Sequence, residues 1–206
     1  LCLENTLGGK VMSMNYLAEA TALVRKRGLA THLDGARLFN AAVALGGDAK
    51  ANARAIAAHF DSVSVCFSKG LGAPVGSALV GSKAFIRGAH RWRKMLGGGM
   101  RQAGVLAAAA LHALDHHVER LAEDHALARR LAEGLRGLPG LTIETPQTNI
   151  VFAELRGERA AGLMPHLKAR GVLATGLYQL RFVTHLDVDA TGVDRAVTAM
   201  REHLAA

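Results

Sequence analysis

This chain predicts an α/β fold: a mostly parallel sheet covered by helices in residues 1–100, then a small α+β unit in residues 137–206. Three observations carry that expectation. Short apolar runs at 29–33, 62–67 and 75–80 alternate with helical stretches, the order that buries a parallel sheet on both faces. A long helical stretch over 101–136 then connects to the remainder. Past Leu138-Pro139-Gly140, a turn signal, shorter strand-like runs resume.

The elements follow in order. Leu1-Cys2-Leu3 opens the chain as an apolar, strand-like run. Ser13 is the predicted N-cap of a helix reaching about Arg27, with Gly28 as its stop and Leu17, Ala20, Thr21 and Val24 on its buried face. Residues 29–33 read as a short buried strand ending at Asp34, and a weaker helix at 51–59 leads to the strand at 62–67. After Gly72 and Pro74 comes the run at 75–80, then a short basic helix at 87–96. Gly97-Gly98-Gly99 interrupts it; helical sequence resumes near Arg101, breaks around His116 and continues to Leu135. Strands are predicted at 141–144, 149–155, 172–175 and 179–184, with a helix at 159–170. In the closing helix Val193, Val197, Met200 and Leu204 form one apolar stripe.

Composition excludes several classes. The chain has 206 residues, 50% hydrophobic and 20% charged, which describes a folded domain rather than a disordered one. Cys2 and Cys66 both lie in apolar runs and read as buried reduced thiols, not a disulfide framework. The longest nearly apolar stretch, 103–114, is broken by His112 and is too short for a membrane span; the cytoplasm is the expected compartment. The formal charge of +8 concentrates at Arg87, Arg91, Arg93, Lys94 and Arg101, but only 4% of residues are aromatic. Without the aromatic signatures of RNA binding, a small anionic ligand or a solvated face explains this charge better than nucleic acid. His112 with His116, and His117 with His125, approach a metal-ligand spacing, yet no acid or cysteine cluster completes a site. No metal is expected.

Two strand ends gather the residues able to do chemistry. Ser68-Lys69-Gly70-Leu71-Gly72 stands beyond the strand at 62–67, and His32-Leu33-Asp34-Gly35-Ala36-Arg37 ends the preceding one. Ligands of parallel sheets collect beyond such carboxyl ends. A lysine desolvated among small residues suits Schiff-base formation with a carbonyl cofactor; otherwise Lys69 simply reaches solvent from a turn. Asp34 can keep a pyridine nitrogen protonated, making the ring an electron sink, or it can cap a helix or pair with Arg37. Arg37 suits a bidentate bond to a substrate carboxylate, with the Asp34 ion pair as its alternative. Arg181, between apolar strand neighbours, needs an anion or a path to solvent, and a substrate carboxylate meets that need. Gly97-Gly98-Gly99-Met100-Arg101 suits phosphate, through close backbone approach and an arginine near a helix start, or acts as a hinge. His32 shares a strand face with Asp34 and either orients a cofactor group or is satisfied within the core. Lys69 and Asp34 together point to pyridoxal 5'-phosphate.

Five segments then match one family in order: Leu3-Glu4-Asn5-Thr6; His32 to Ala41; Ser68 to Ser77; Arg91-Trp92-Arg93-Lys94-Met95-Leu96 with Gly97 to Gln102; and Arg181-Phe182-Val183-Thr184-His185-Leu186-Asp187-Val188. With them the chain resembles low-specificity L-threonine aldolase, a fold-type I pyridoxal phosphate lyase, over essentially its whole length. The resemblance implies part of an aspartate-aminotransferase-like large domain plus a small C-terminal α+β domain. It implies that Lys69 carries the cofactor and that Asp34 pairs with its ring nitrogen. Arg37 lies at the cofactor and, with Arg181, holds the amino acid carboxylate. Arg101 reaches the cofactor phosphate, Lys94 lines the entrance, and Asn5 touches the ring oxygen. The implied reaction is retro-aldol cleavage of L-threonine or L-allo-threonine to glycine and acetaldehyde, in a homotetramer of close dimers with shared active sites. A β-eliminating or other β-hydroxy amino acid lyase on the same scaffold, or a truncated subunit serving only assembly, stays open. Leu7 departs from the pattern, since many members carry histidine there. Opening in mid-strand at Leu1, the chain reads as the later part of a longer protein. The family's earlier portion holds the ring-stacking histidine and the phosphate-binding loop, and the general base is expected there.

Overall fold

The computed structural model describes residues 1–156, 160–176 and 179–205. The chain divides into two compact units, Leu1–Leu121 and Ala122–Ala206.

In the first unit run β1 (Cys2–Glu4), α1 (Met14–Arg25), β2 (His32–Gly35), α2 (Leu38–Ala44), α3 (Ala49–Ala57), β3 (Ser62–Cys66), β4 (Ser77–Gly81), α4 (Lys83–Met95) and α5 (Gly104–His116). The strands form one sheet in the order β1-β2-β3-β4. β1, β2 and β3 are parallel, and β4 returns antiparallel beside β3. The sheet is therefore mostly parallel, and its carboxyl edge comprises the ends of β1, β2 and β3.

Side-chain caps start three of the helices. Ser13 accepts a hydrogen bond from the Tyr16 amide at 3.2 Å, Asp48 from Ala51 at 3.0 Å and Ser82 from Phe85 at 3.2 Å, each satisfying an orphan donor of the first turn. α1 buries Leu17 and Thr21 fully, and Ala20 and Val24 in part, as its spacing predicts. Leu17, Leu33, Ile56, Phe60, Val63 and Val65 belong to one core between sheet and helices.

Several expectations are corrected. The second strand begins at His32, not at Leu29, which is exposed. The cause lies next to it: the Thr31 amide and hydroxyl donate to the Asp61 carboxylate at 2.7 and 2.9 Å, so this backbone is tied to a side chain before the ladder begins. α2 was not expected at all. It has no side-chain cap, and Leu38, Asn40, Ala41 and Ala42 are all buried, so its seven residues show no amphipathic period. Cys2 is exposed on edge strand β1 and Cys66 only half-buried, so neither is the fully buried thiol predicted. Among the described residues no helix is long and apolar enough to cross a membrane.

The second unit contains α6 (Leu121–Leu135, from Ala122 on), β5 (Leu141–Ile143), β6 (Ile150–Leu155), α7 (Leu163–Ala169), β7 (Thr175–Gly176), β8 (Leu180–Val183) and α8 (Ala190–Ala205). Its sheet is antiparallel in the order β5-β6-β8-β7. Val193, Val197, Met200 and Leu204 of α8 are all buried, as the stripe predicts. They pack with Leu131 and Leu135 of α6 and with Val151 and Phe182 of the sheet. α7 starts only after Gly162, whose φ of 73° is non-helical. Arg159, in the predicted helix at 159–170, lies outside the described residues. The strand predicted at 172–175 shrinks to Thr175–Gly176.

Candidate functional site

The carboxyl edge of the parallel strands assembles the site. Glu4 lies beside Asp34 in the β1–β2 register, and Asp34 beside Ser64 in the β2–β3 register. The Asn5 amide donates to the Asp34 carbonyl at 3.1 Å, which sets Asn5 next to Asp34 just past the end of β1. Lys69 follows the end of β3 by three residues. Its turn is closed by Gly72 N–H donating to the Lys69 carbonyl at 2.9 Å and by Ala73 N–H donating to the Phe67 carbonyl at 3.0 Å. Gly72, at φ 73°, takes a left-handed conformation that glycine tolerates best. Residues 36–40 after β2 line one small crevice together with Cys66, the last residue of β3, and Gly70 and Leu71 beyond it. Asp34 and Lys69 thus occupy neighbouring strand ends on the same edge of the sheet.

Asp34 and Asn5 retain bonding capacity there. One carboxylate oxygen of Asp34 accepts from the Ala36 amide at 3.0 Å; the other has no partner among the described residues, and the side chain faces solvent. This local turn replaces both alternatives weighed for Asp34, the helix cap and the ion pair. Asn5 is fully buried; its Oδ1 accepts from the Met12 amide at 3.1 Å while its Nδ2 has no partner among the described residues. The buried Thr6 hydroxyl beside it is also unpaired among the described residues. Buried polar groups are rarely left so, and an unused donor next to Asp34 suits a ligand oxygen. Lys69 is exposed, contrary to the expected desolvation. Half-buried Arg37 forms the N-cap position of α2, one turn past Asp34. An amide donor, a carboxylate and an amine along one edge match the ring oxygen, ring nitrogen and aldehyde of pyridoxal phosphate, so these residues fit that group.

His32 is satisfied locally: its Nδ1 and the Ser62 hydroxyl are 2.9 Å apart. The triglycine is also absorbed locally. Gly97, at φ 87°, ends α4: its N–H donates to Lys94 at 3.3 Å and that of Gly98 to Arg93 at 2.9 Å, the paired bonds of a Schellman cap. A Cβ on Gly99 would lie 2.4 Å from the Lys94 side chain, so its close backbone approach is to Lys94. Lys94 donates to the Gly99 carbonyl at 3.4 Å, and Arg101 is exposed just beyond.

Arg181 lies on β8 in the second unit, in register with Phe152 and Thr175. It is half-buried and makes no hydrogen bond or ion pair among the described residues. Sequence reasoning missed two residues behind the Lys69 turn: Asn40, beside Gly70, and His117, which reaches Leu71. Both arrive from elements whose local sequence carries no sign of that turn.

Comparisons with known proteins bear on the family and the fold. The chain is 48% identical over 205 residues to the low specificity L-threonine aldolase of Escherichia coli strain K12, covering all of this chain and 60% of that protein. It is 41% identical over 212 residues to low-specificity L-threonine aldolase 1 of Arabidopsis thaliana, covering 98% of this chain and 58% of that protein. The chain therefore spans about 60% of the length of these relatives. The solved structure of Leishmania major threonine aldolase superposes with a TM-score of 0.80 at 22% identity, covering 98% of this chain and 60% of that one; it shows the fold. The model of the beta-eliminating lyase family matches residues 1–158. This chain belongs to the beta-eliminating lyase family.

Proposed function

We propose that this chain supplies the lysine and aspartate of a pyridoxal phosphate site that cleaves L-threonine or L-allo-threonine to glycine and acetaldehyde. One observation carries the reading: Lys69 and Asp34 stand at neighbouring carboxyl ends of a parallel sheet, in a chain alike throughout to threonine aldolases. When bound, pyridoxal phosphate supplies an electron sink for the carbon–carbon bond that breaks. Lys69 would hold it through the side-chain amine. The free carboxylate oxygen of Asp34 would hold the proton on the ring nitrogen, and Asn5 Nδ2 would donate to the ring oxygen. Arg37 and Arg181 would bind the substrate carboxylate by charge-assisted hydrogen bonds, restricting rotation so that the Cα–Cβ bond is the one presented for rupture.

The same reading gives Arg101 to the cofactor phosphate and Lys94 to the entrance. It treats residues 1–100 as part of the cofactor-binding domain, 101–136 as a connector and 137–206 as a small domain. It extends to a homotetramer of close dimers in the cytoplasm.

In the full-length protein, Lys69→Ala should abolish both the yellow colour of the bound cofactor and turnover; wild-type aldolase activity in that variant overturns the assignment. Products separate the sister reaction on this scaffold: an aldolase releases glycine and an aldehyde, a β-eliminating enzyme pyruvate and ammonia.

A further inference from the structure

We propose that His117 is a positioning residue for Lys69, acting through the carbonyl of Leu71. The inference rests on the reading of Lys69 as the cofactor-holding lysine. His117 Nδ1 lies 2.6 Å from the Leu71 carbonyl, across 46 residues of chain, at a partly buried contact. A carbonyl only accepts, so the proton is on Nδ1 and the imidazole donates. Leu71 sits inside the four-residue turn that Gly72 N–H closes on the Lys69 carbonyl. A hydrogen bond to its carbonyl therefore restrains the peptide plane two residues from Lys69.

The surroundings make this an anchor rather than a passing contact. His117 is the C-cap of α5, its backbone N–H bonded to the Ala113 carbonyl, so the ring projects from a fixed helix end. The His112 ring stands edge-on to it at 5.2 Å. Leu71 is 3% exposed and packs with Ala113, Val118 and Leu121 from the same stretch as His117. A Cβ on Gly70 would meet Leu121 at 2.8 Å and the Asn40 amide oxygen at 3.2 Å, so the turn is clamped on its inner side as well. Packing holds the turn in place, and the imidazole is the directional contact that orients it. An exposed lysine needs that restraint, because nothing buries its own side chain.

The test compares His117→Phe with His117→Asn in the full-length protein. Phenylalanine keeps ring volume and removes the donor; asparagine places an amide nitrogen the same number of bonds from Cα as Nδ1. In the cofactor-free protein, His117→Phe should speed hydrogen exchange at the Gly72 and Ala73 amides about tenfold, and His117→Asn should restore exchange to within about twofold of wild type. In the loaded protein, His117→Phe should shift the visible band of the lysine-bound cofactor and lower kcat about tenfold with little change in KM, again with recovery in His117→Asn. Wild-type exchange and spectrum in His117→Phe overturn the proposal. So does a His117→Asn variant as impaired as His117→Phe at equal loss of Tm, which marks a packing role alone. Should the phenylalanine variant not fold, His117→Asn decides by itself: wild-type exchange and spectrum support the anchor, and loss of either refutes it. If Lys69→Ala leaves colour and turnover intact, the lysine assignment fails, while the exchange result still decides whether His117 anchors the turn.

Discussion

The Asp34 carboxylate and the Arg181 guanidinium owe their interest to what each leaves unused. Asp34 spends one oxygen on its own backbone at Ala36, which fixes the carboxylate and leaves the second oxygen for a ligand. Arg181 keeps a charged group half-buried on β8 without a partner among the described residues, an arrangement that is costly unless an anion arrives. If that anion is the substrate carboxylate, Arg181→Ala should raise KM by roughly tenfold or more and lower kcat, since a charge-assisted hydrogen bond contributes about 1.5–3 kcal/mol. Steady-state kinetics of the full-length variant check this, and an unchanged KM removes Arg181 from the substrate site. His125 is a different case. It is buried on α6, and burial, reinforced by the Arg129 charge, lowers its pKa to about 4. The unfolded chain therefore binds this proton more readily than the folded one between about pH 6.5 and 4. Stability should fall as pH drops through that window. Melting curves should show Tm declining by several degrees more in wild type than in His125→Phe; parallel declines remove His125 as the cause.

At the scale of elements, helix packing in the second unit turns on one missing side chain. A Cβ on Gly134 of α6 would lie 2.6 Å from the Val197 side chain of α8. Gly134→Ala should destabilise the protein by about 1–3 kcal/mol through overpacking, read as a lower urea midpoint. A gain in stability would mean that α6 and α8 can separate freely, with helix propensity then deciding the sign. The elements also show which parts of the sequence were legible. α1 was predicted near its true limits and the buried stripe of α8 residue by residue, because capping at Ser13 and a strict apolar stripe are local signals. α2 was not, because a short helix buried on most sides carries no period. The start of β2 was misplaced because the Thr31 backbone is taken by Asp61, thirty residues away.

Across the whole first unit, one surface stands out. β4 closes the sheet order and leaves one edge unpaired among the described strands. α4, packed beside it, buries none of its residues. Leu79, Val80, Trp92, Met95, Leu96 and Met100, on or just after these two elements, are all exposed, and apolar side chains beside an open strand edge favour association. The 206-residue chain on its own should therefore self-associate and bind a hydrophobic dye. Analytical ultracentrifugation and dye fluorescence check this, and a monodisperse, dye-dark monomer contradicts it.

The sequence alone determined the alternating α/β plan, the α+β closing unit and the two strand-end clusters, because periodicity, capping and glycine turns are written within a few residues of where they act. Tertiary structure alone decided that the strands leading to Asp34 and Lys69 are direct neighbours, that Asn5 keeps a buried donor with no partner among the described residues beside Asp34, and that His117 grips the Lys69 turn. Those facts depend on parallel pairing between segments some thirty residues apart and on a helix end 46 residues away from the carbonyl it reaches. Such contacts arise only once the core has brought distant segments together, and no local pattern of side chains records them.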